Sequence, residues 1–313
     1  FLVMAGIAEH FQPELTDAAA QLTPFIHEST RLDYRNTAAF TIDDEGTLEI
    51  DDALTIRRLG GETLVGIHIA DVSAFISKGD LLDAEASRRS STIYLPAVTV
   101  RMFPERLSTD LVSLKAGVDR PAFTVEVRFD QQGNRVGYRI ALSTIHVTSR
   151  LSYDHADAMI EAGDESLQAL HGLARQLHDA RTARGAITFR RPELKIHVEA
   201  GEIDIQQINP NSPSRILVSE MMILANGLAA DFASLRLPSE LMTPASTSPF
   251  CFARAARSAS ADASPGIVSR TPRARSATRG SSSIFASIGT SASDATIGSR
   301  WQMTLRAAGV AFG

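Results

Sequence analysis

Apolar residues recur along this chain at two spacings, and they divide it into a run of strands followed by a run of helices. Leu48, Ile50, Ala53, Leu54 and Ile56 read as one strand entering a core. Residues 62–69 alternate as well, and they pair naturally with residues 53–59 across the Gly60-Gly61 turn, which predicts a hairpin. Phe123, Val125, Val127 and Phe129 share one face of a strand over residues 121–129. The Gln132-Gly133-Asn134 turn then leads to a partner strand over residues 135–147. Shorter strands are expected at 92–95 and 97–102, broken by Pro96, and near 186–189, 195–198 and 202–205. Helical spacing covers Leu81–Arg89, capped by Asp80, and residues 153–161, 165–184 and 216–234. A looser helical pattern runs from Ile7 to Glu28. Strands in runs, then helices, predict an α+β fold with a mixed or antiparallel sheet packed against helices.

Composition refines this picture mainly at the chain's end. Residues 1–30 form a lead-in, 31–235 a core region, and 236–313 a segment in which the pattern is lost. Residues 251–300 hold twelve Ser, eleven Ala and seven Arg but no Leu, Lys or Glu, too few apolar residues to build a core. Two readings stand: a disordered basic tail that binds RNA, or a stretch read out of frame from GC-rich coding DNA. The net charge of −5 hides an asymmetry, because residues 250–313 carry eight Arg against two Asp and leave the body at −11. An acidic body argues against binding nucleic acid by bulk charge, although a metal cluster supplies positive charge locally. The chain opens at Phe1, which reads as a fragment lacking its natural beginning. Its first apolar run is too short to span a membrane, and the longest, 216–235, is interrupted by Glu220 and Asp231. We therefore expect a core helix there and no membrane partner. Cys251 stands alone, which excludes an intramolecular disulfide and suits a cytoplasmic location.

The chemistry gathers at Thr41 to Asp52, which reads T-I-D-D-E-G-T-L-E-I-D-D. Gly46 and Thr47 look like the turn that folds Asp43 back towards the strand. Glu49 and Asp51 share a face, and Asp52 points to the other unless a bulge or strand end re-aims it. Carboxylates this crowded must hold protons or a cation. Either the stretch is a solvated acidic turn, or its hard oxygens hold Mg²⁺ or Mn²⁺. An EF-hand calcium loop fits badly, since the glycine stands at the wrong offset.

Several segments, in order, resemble the ribonuclease II (RNB) family of processive 3′→5′ exoribonucleases. Arg31-Leu32-Asp33-Tyr34-Arg35 with Phe40-Thr41-Ile42-Asp43 is similar to the family's opening motif. Asp43 followed by Glu49-Ile50-Asp51-Asp52 is similar to its acidic signature. His68-Ile69-Ala70-Asp71-Val72-Ser73, Ser91-Thr92-Ile93-Tyr94-Leu95-Pro96 and Phe103-Pro104-Glu105-Arg106-Leu107-Ser108 follow. Arg150-Leu151-Ser152-Tyr153 and Leu217-Val218-Ser219-Glu220-Met221-Met222 complete a match over roughly residues 31–233.

The resemblance implies metal-assisted hydrolysis of single-stranded RNA, with 5′-mononucleotides released. It makes Asp43 and Asp52 the main Mg²⁺ ligands and Asp51 an acid that helps hold metal or orient the attacking water. Glu49 falls where the family usually has Asp, and so binds through water or reaches a second metal. Tyr94 resembles the aromatic that stacks on the 3′-terminal base, and Tyr153 a tyrosine that contacts RNA. Glu220 is either a surface acid or faces an arginine or the site from behind the ligands. His68 is either a satisfied buried histidine or a supporting ligand. The sequence also departs from the family: Thr247-Ser248-Pro249 is followed by Phe250-Cys251-Phe252, where the family places a phosphate-binding arginine. No counterpart of the family's S1 barrel is recognisable. These departures carry a second reading, an RNB-like RNA-binding or interaction protein whose turnover is impaired.

Overall fold

A computed structural model describes residues 8–24, 30–96, 98–187, 193–199 and 202–236. The segment from 237 onward, with the Thr247–Phe252 stretch, lies outside the described residues, as do 188 and 189 of the expected strand near 186. In chain order the elements are α1 (Pro13–Ala20), β1 (Leu32–Asp43), β2 (Asp52–Leu59), β3 (Glu62–Ala70), α2 (Leu81–Arg89), β4 (Ile93–Tyr94) and β5 (Thr99–Val100). Then follow β6 (Asp119–Phe129), β7 (Arg135–Ser152), α3 (Tyr153–Ala162), α4 (Glu165–Ala183), β8 (Glu193–Glu199), β9 (Glu202–Ile208) and α5 (Pro213–Arg236). The α+β reading holds, and the sheet is mixed. Strands β1-β2-β3-β6-β7 close into a barrel in which β7 returns parallel to β1 and every other neighbour is antiparallel.

The alternation of β6 explains where the core lies. Phe123, Val125, Val127 and Phe129 face outward with Ile42, Leu54, Val65, Ile67 and Leu142, and α3, α4 and α5 cover them with Leu167, Leu170, Leu217, Val218 and Met221. Each such large side chain contributes roughly 1.5–3 kcal/mol when fully removed from water. Helix α5 is long and apolar enough by length and composition to cross a membrane, yet just over half of its apolar window is buried within this core. Helix α3 starts where the Ser152 hydroxyl accepts from the His155 N–H, and stops at Gly163, whose φ of 96° is left-handed. Asp164 then caps α4 through the Leu167 N–H. Asp80 caps α2 as its sequence predicts.

The inward positions combine polar groups with an apolar cluster of Tyr34, Ala53, Ala122, Ile145 and Val147. The Tyr34 ring meets His68 edge-on at 5.0 Å, although β1 and β3 are not neighbours, so this contact crosses the barrel interior. His68 Nε2 lies 3.0 Å from Thr55 Oγ1 and its Nδ1 2.7 Å from Thr124 Oγ1. Glu126 accepts from the Tyr34 hydroxyl, Arg57 and Arg139. Gly66 is required here, because a Cβ at that position would collide with Thr55 Oγ1 and come within 2.7 Å of His68 Nε2.

One expected strand is corrected. The pattern from Leu48 suggests that it enters the sheet there, but β2 begins at Asp52. Ile50 is bonded elsewhere, its N–H donating to Ser113 Oγ and its carbonyl accepting from Leu114, while the Asp51 carbonyl accepts from Ala70 at the end of β3. Leu48, expected in the core, is 54% exposed.

Candidate active site

Asp43 ends β1 and Asp52 begins β2, and the loop between them carries the remaining acids. A turn closed by the Thr47 N–H on the Asp44 carbonyl reverses the chain, as Gly46-Thr47 predicts. Two arginines from distant elements pin this loop. Arg150, on β7 beside β1, donates through Nη2 to the carbonyls of Glu45 (2.9 Å) and Thr47 (2.6 Å). Arg215, in the first turn of α5, donates to Asp44 Oδ1 at 2.9 Å.

Asp43 and Asp52 are both buried, and Asp43 Oδ2 has no hydrogen-bond partner. Burial, then the charges of Asp52 and Asp51, hold the Asp43 carboxyl well above the ordinary carboxylate range, against the lowering pull of Arg150. Burial raises Asp52 likewise. Asp51 is pushed up to about 8 by burial and then by Glu49 and Asp52. Tyr153 opens α3 against this group; its hydroxyl is buried without a partner, and its ring lies 3.9 Å from the Arg215 guanidinium. Burial, then Asp52 and Asp43, push its hydroxyl upward too, so the phenol stands in the field of both aspartates.

The structure therefore brings Asp43, Asp51, Asp52 and Tyr153 together. These carboxylates destabilise one another until a proton or a cation neutralises them. Among the described residues, no three His, Cys, Asp or Glu side chains converge as a preformed cage for a metal ion. Mg²⁺ does not need one: it is usually held by one or two protein carboxylates, with water and substrate phosphate completing its octahedron. The unpartnered Asp43 oxygen and the Asp52 carboxylate fit that role, and Mn²⁺ accepts the same donors.

Three other expected site residues find their hydrogen-bond partners outside this group, although the Glu49 charge still acts on Asp51. Glu49, expected to reach metal, has its oxygens on Arg101 Nη1 (2.7 Å), the Tyr94 hydroxyl (3.0 Å) and Thr92 Oγ1 (3.4 Å). Tyr94 thus stands beside Glu49. Glu220 is buried but faces α4, accepting from Arg181 Nη2 (2.5 Å) and lying 3.0 Å from His178 Nδ1, so it braces two helices instead of supporting the aspartates. His68 is the satisfied buried histidine of the barrel interior; burial drives its pKa down to about 3, which keeps it neutral. The sequence reading missed Arg101, Arg150 and Arg215 as functional residues. Arg150 directly precedes the Leu151-Ser152-Tyr153 segment, and Arg101 interrupts an apolar run, which were the available signals.

The RNB domain family matches residues 31–248. An uncharacterized ribonuclease of Synechocystis is 38% identical over 240 residues, which is 74% of this chain and 36% of that protein. Ribonuclease R 2 of Lactococcus lactis is 33% identical over 249 residues, again 74% of this chain and 36% of the relative. The chain thus spans about a third of the length of these relatives. Among solved structures, Mycoplasma genitalium RNase R in complex with double-stranded RNA superposes with a TM-score of 0.69 at 25% identity, covering 74% of this chain and 44% of that one. Yeast Ssd1, a pseudonuclease, has the same fold at a TM-score of 0.57 and 21% identity, covering 72% and 28%. Fold alone therefore does not decide turnover, but with the domain match and these relatives the chain belongs to the RNB domain family of ribonucleases.

Proposed function

We propose that this chain is the catalytic core of a divalent-metal-dependent exoribonuclease, which shortens single-stranded RNA from its 3′ end and releases 5′-mononucleotides. The observation that carries the reading is the buried, unpartnered oxygen of Asp43 set against Asp52 and Asp51 at the joined ends of β1 and β2. Asp43 and Asp52 would hold Mg²⁺ or Mn²⁺, which supplies charge neutralisation at the scissile phosphate. Asp51 takes the proton of the attacking water. Water oxygen bonds to phosphorus while the bond from phosphorus to the 3′-oxygen breaks, and that oxygen takes a proton from solvent to become the new 3′-hydroxyl. Tyr153, with the Arg215 guanidinium over its ring, would contact the RNA beside this group, and Tyr94 would offer a face on which the terminal base stacks.

Incubating the chain with 5′-labelled single-stranded RNA and Mg²⁺ tests this. Progressive 3′ shortening that Asp52→Asn lowers by about 10²–10³-fold is the expected result, the equivalent of a few kcal/mol at the transition state. The second reading, an RNA-binding protein with impaired turnover, is favoured by the hydrogen bonds that tie up both Glu49 oxygens with Tyr94 and Arg101. It predicts tight binding without shortening.

A further inference from the structure

The strands β4 and β5 pair over two residues each, Ile93 with Val100 and Tyr94 with Thr99. A ladder this short does not hold itself in place. Its second arm continues into Met102 and Phe103, which are buried in a core with α1 and α2. Arg89 adds a bond to the Arg101 carbonyl at 3.1 Å. The first arm, which carries Tyr94, meets Glu49. One oxygen of Glu49 accepts from the Tyr94 hydroxyl and from Thr92, while the other accepts from Arg101. Thr92 Oγ1 in turn accepts from the Met102 N–H at 3.1 Å, which closes the two arms on each other. The Glu49 side chain is 10% exposed, so these bonds form largely out of water. A guanidinium at 2.7 Å also disfavours a second cation on the same carboxylate.

We infer that Glu49 is a positioning residue for Tyr94 and not a metal ligand. The added methylene relative to Asp lets the carboxylate reach across to the β4–β5 hairpin. Glu49 then fixes the tyrosine ring as the platform for the 3′-terminal base, two residues away from the aspartate that starts the chemistry. The inference rests on the proposed nuclease reading for the role of Tyr94, but its test does not need turnover.

The probe is a short single-stranded RNA carrying 2-aminopurine at its 3′ end, whose fluorescence is quenched by stacking, titrated in EDTA against the full chain. Wild type quenches the probe. Glu49→Gln, which keeps size, and Tyr94→Phe, which keeps the ring, each weaken quench and affinity by about three- to tenfold. The double variant is no worse than the more affected single one, because both remove the same bond. Mn²⁺ affinity, read by the paramagnetic resonance of the free ion, stays within about twofold of wild type in Glu49→Gln. If Glu49→Gln fails to fold, Tyr94→Phe alone decides, and an unchanged quench in it overturns the inference. So does a probe that wild type fails to quench, an additive double variant, or a Mn²⁺ affinity about tenfold weaker in Glu49→Gln. RNA bound and quenched by wild type but never shortened in Mg²⁺ removes the nuclease reading and leaves the positioning role standing.

Discussion

Arg215 Nη2 donates to Asp44 Oδ1 across 2.9 Å, and so ties the first turn of α5 to the end of β1. The same guanidinium covers the Tyr153 ring. A carboxylate-rich loop is thereby held by a cation from a helix remote in sequence, with Arg150 holding its carbonyls from the other side.

Replacing Arg215 by Ala removes both contacts. The ion pair is about one-fifth exposed and so contributes a modest amount, up to about 1 kcal/mol, and the ring contact about 0.5–2 kcal/mol. We expect urea unfolding to show a loss of about 1–2 kcal/mol, with Arg215→Lys recovering part of it. RNA turnover will fall by more than that stability loss accounts for, because the loop bearing the acids loosens.

Gly66→Ala addresses the barrel interior. The added methyl group meets the Thr55 hydroxyl and the His68 ring, both fixed by hydrogen bonds to opposite strands. Overpacking of this kind costs about 1–3 kcal/mol. A lower urea midpoint with an unchanged denaturant slope is expected; an unaltered midpoint would show that the His68 network yields freely.

Stability will depend on pH in a direction set by the aspartates. In metal-free protein Asp51 keeps its proton up to about 8, whereas an unfolded Asp releases it near 3.8. Between these values the native state holds protons the unfolded chain has lost, so stability falls as pH rises. His68 acts oppositely, but only below its ordinary 6.5, where the unfolded ring takes a proton that the buried one refuses down to about 3. From pH 6.5 to 8 the aspartates therefore act without it. Urea midpoints in EDTA will decline across this window. Saturating Mg²⁺ will flatten the decline, and Asp51→Asn will reduce it.

Much of the barrel is legible in the chain because its determinants are local. The Gly60-Gly61 hairpin, the alternation from Phe123 to Phe129 and the cap Asp80 need only neighbouring residues. The closure of β1 on β7 does not: it pairs Leu32 with Ser143 and Asp43 with Ser152, and no local pattern announces a parallel pairing across such a distance. The same limit applies to the site. Clustering along the chain marks Asp43, Asp51 and Asp52, and the structure keeps them together. Glu49 belongs to the same run, yet Arg101 and Tyr94, brought near only by folding, claim its carboxylate. Glu220 reads as a surface acid or, from its apolar neighbours, as facing an arginine or the site, and the structure gives it an arginine. Its partners Arg181 and His178 lie a helix away.

The most direct test of the central claim measures the metal itself. Titrating Mn²⁺ into the chain, with the resonance of the free ion as readout, will show binding that Mg²⁺ displaces and that Asp43→Asn and Asp52→Asn each weaken about tenfold or more. Equal Mn²⁺ binding by wild type and by the Asp43→Asn/Asp52→Asn double variant would contradict the account.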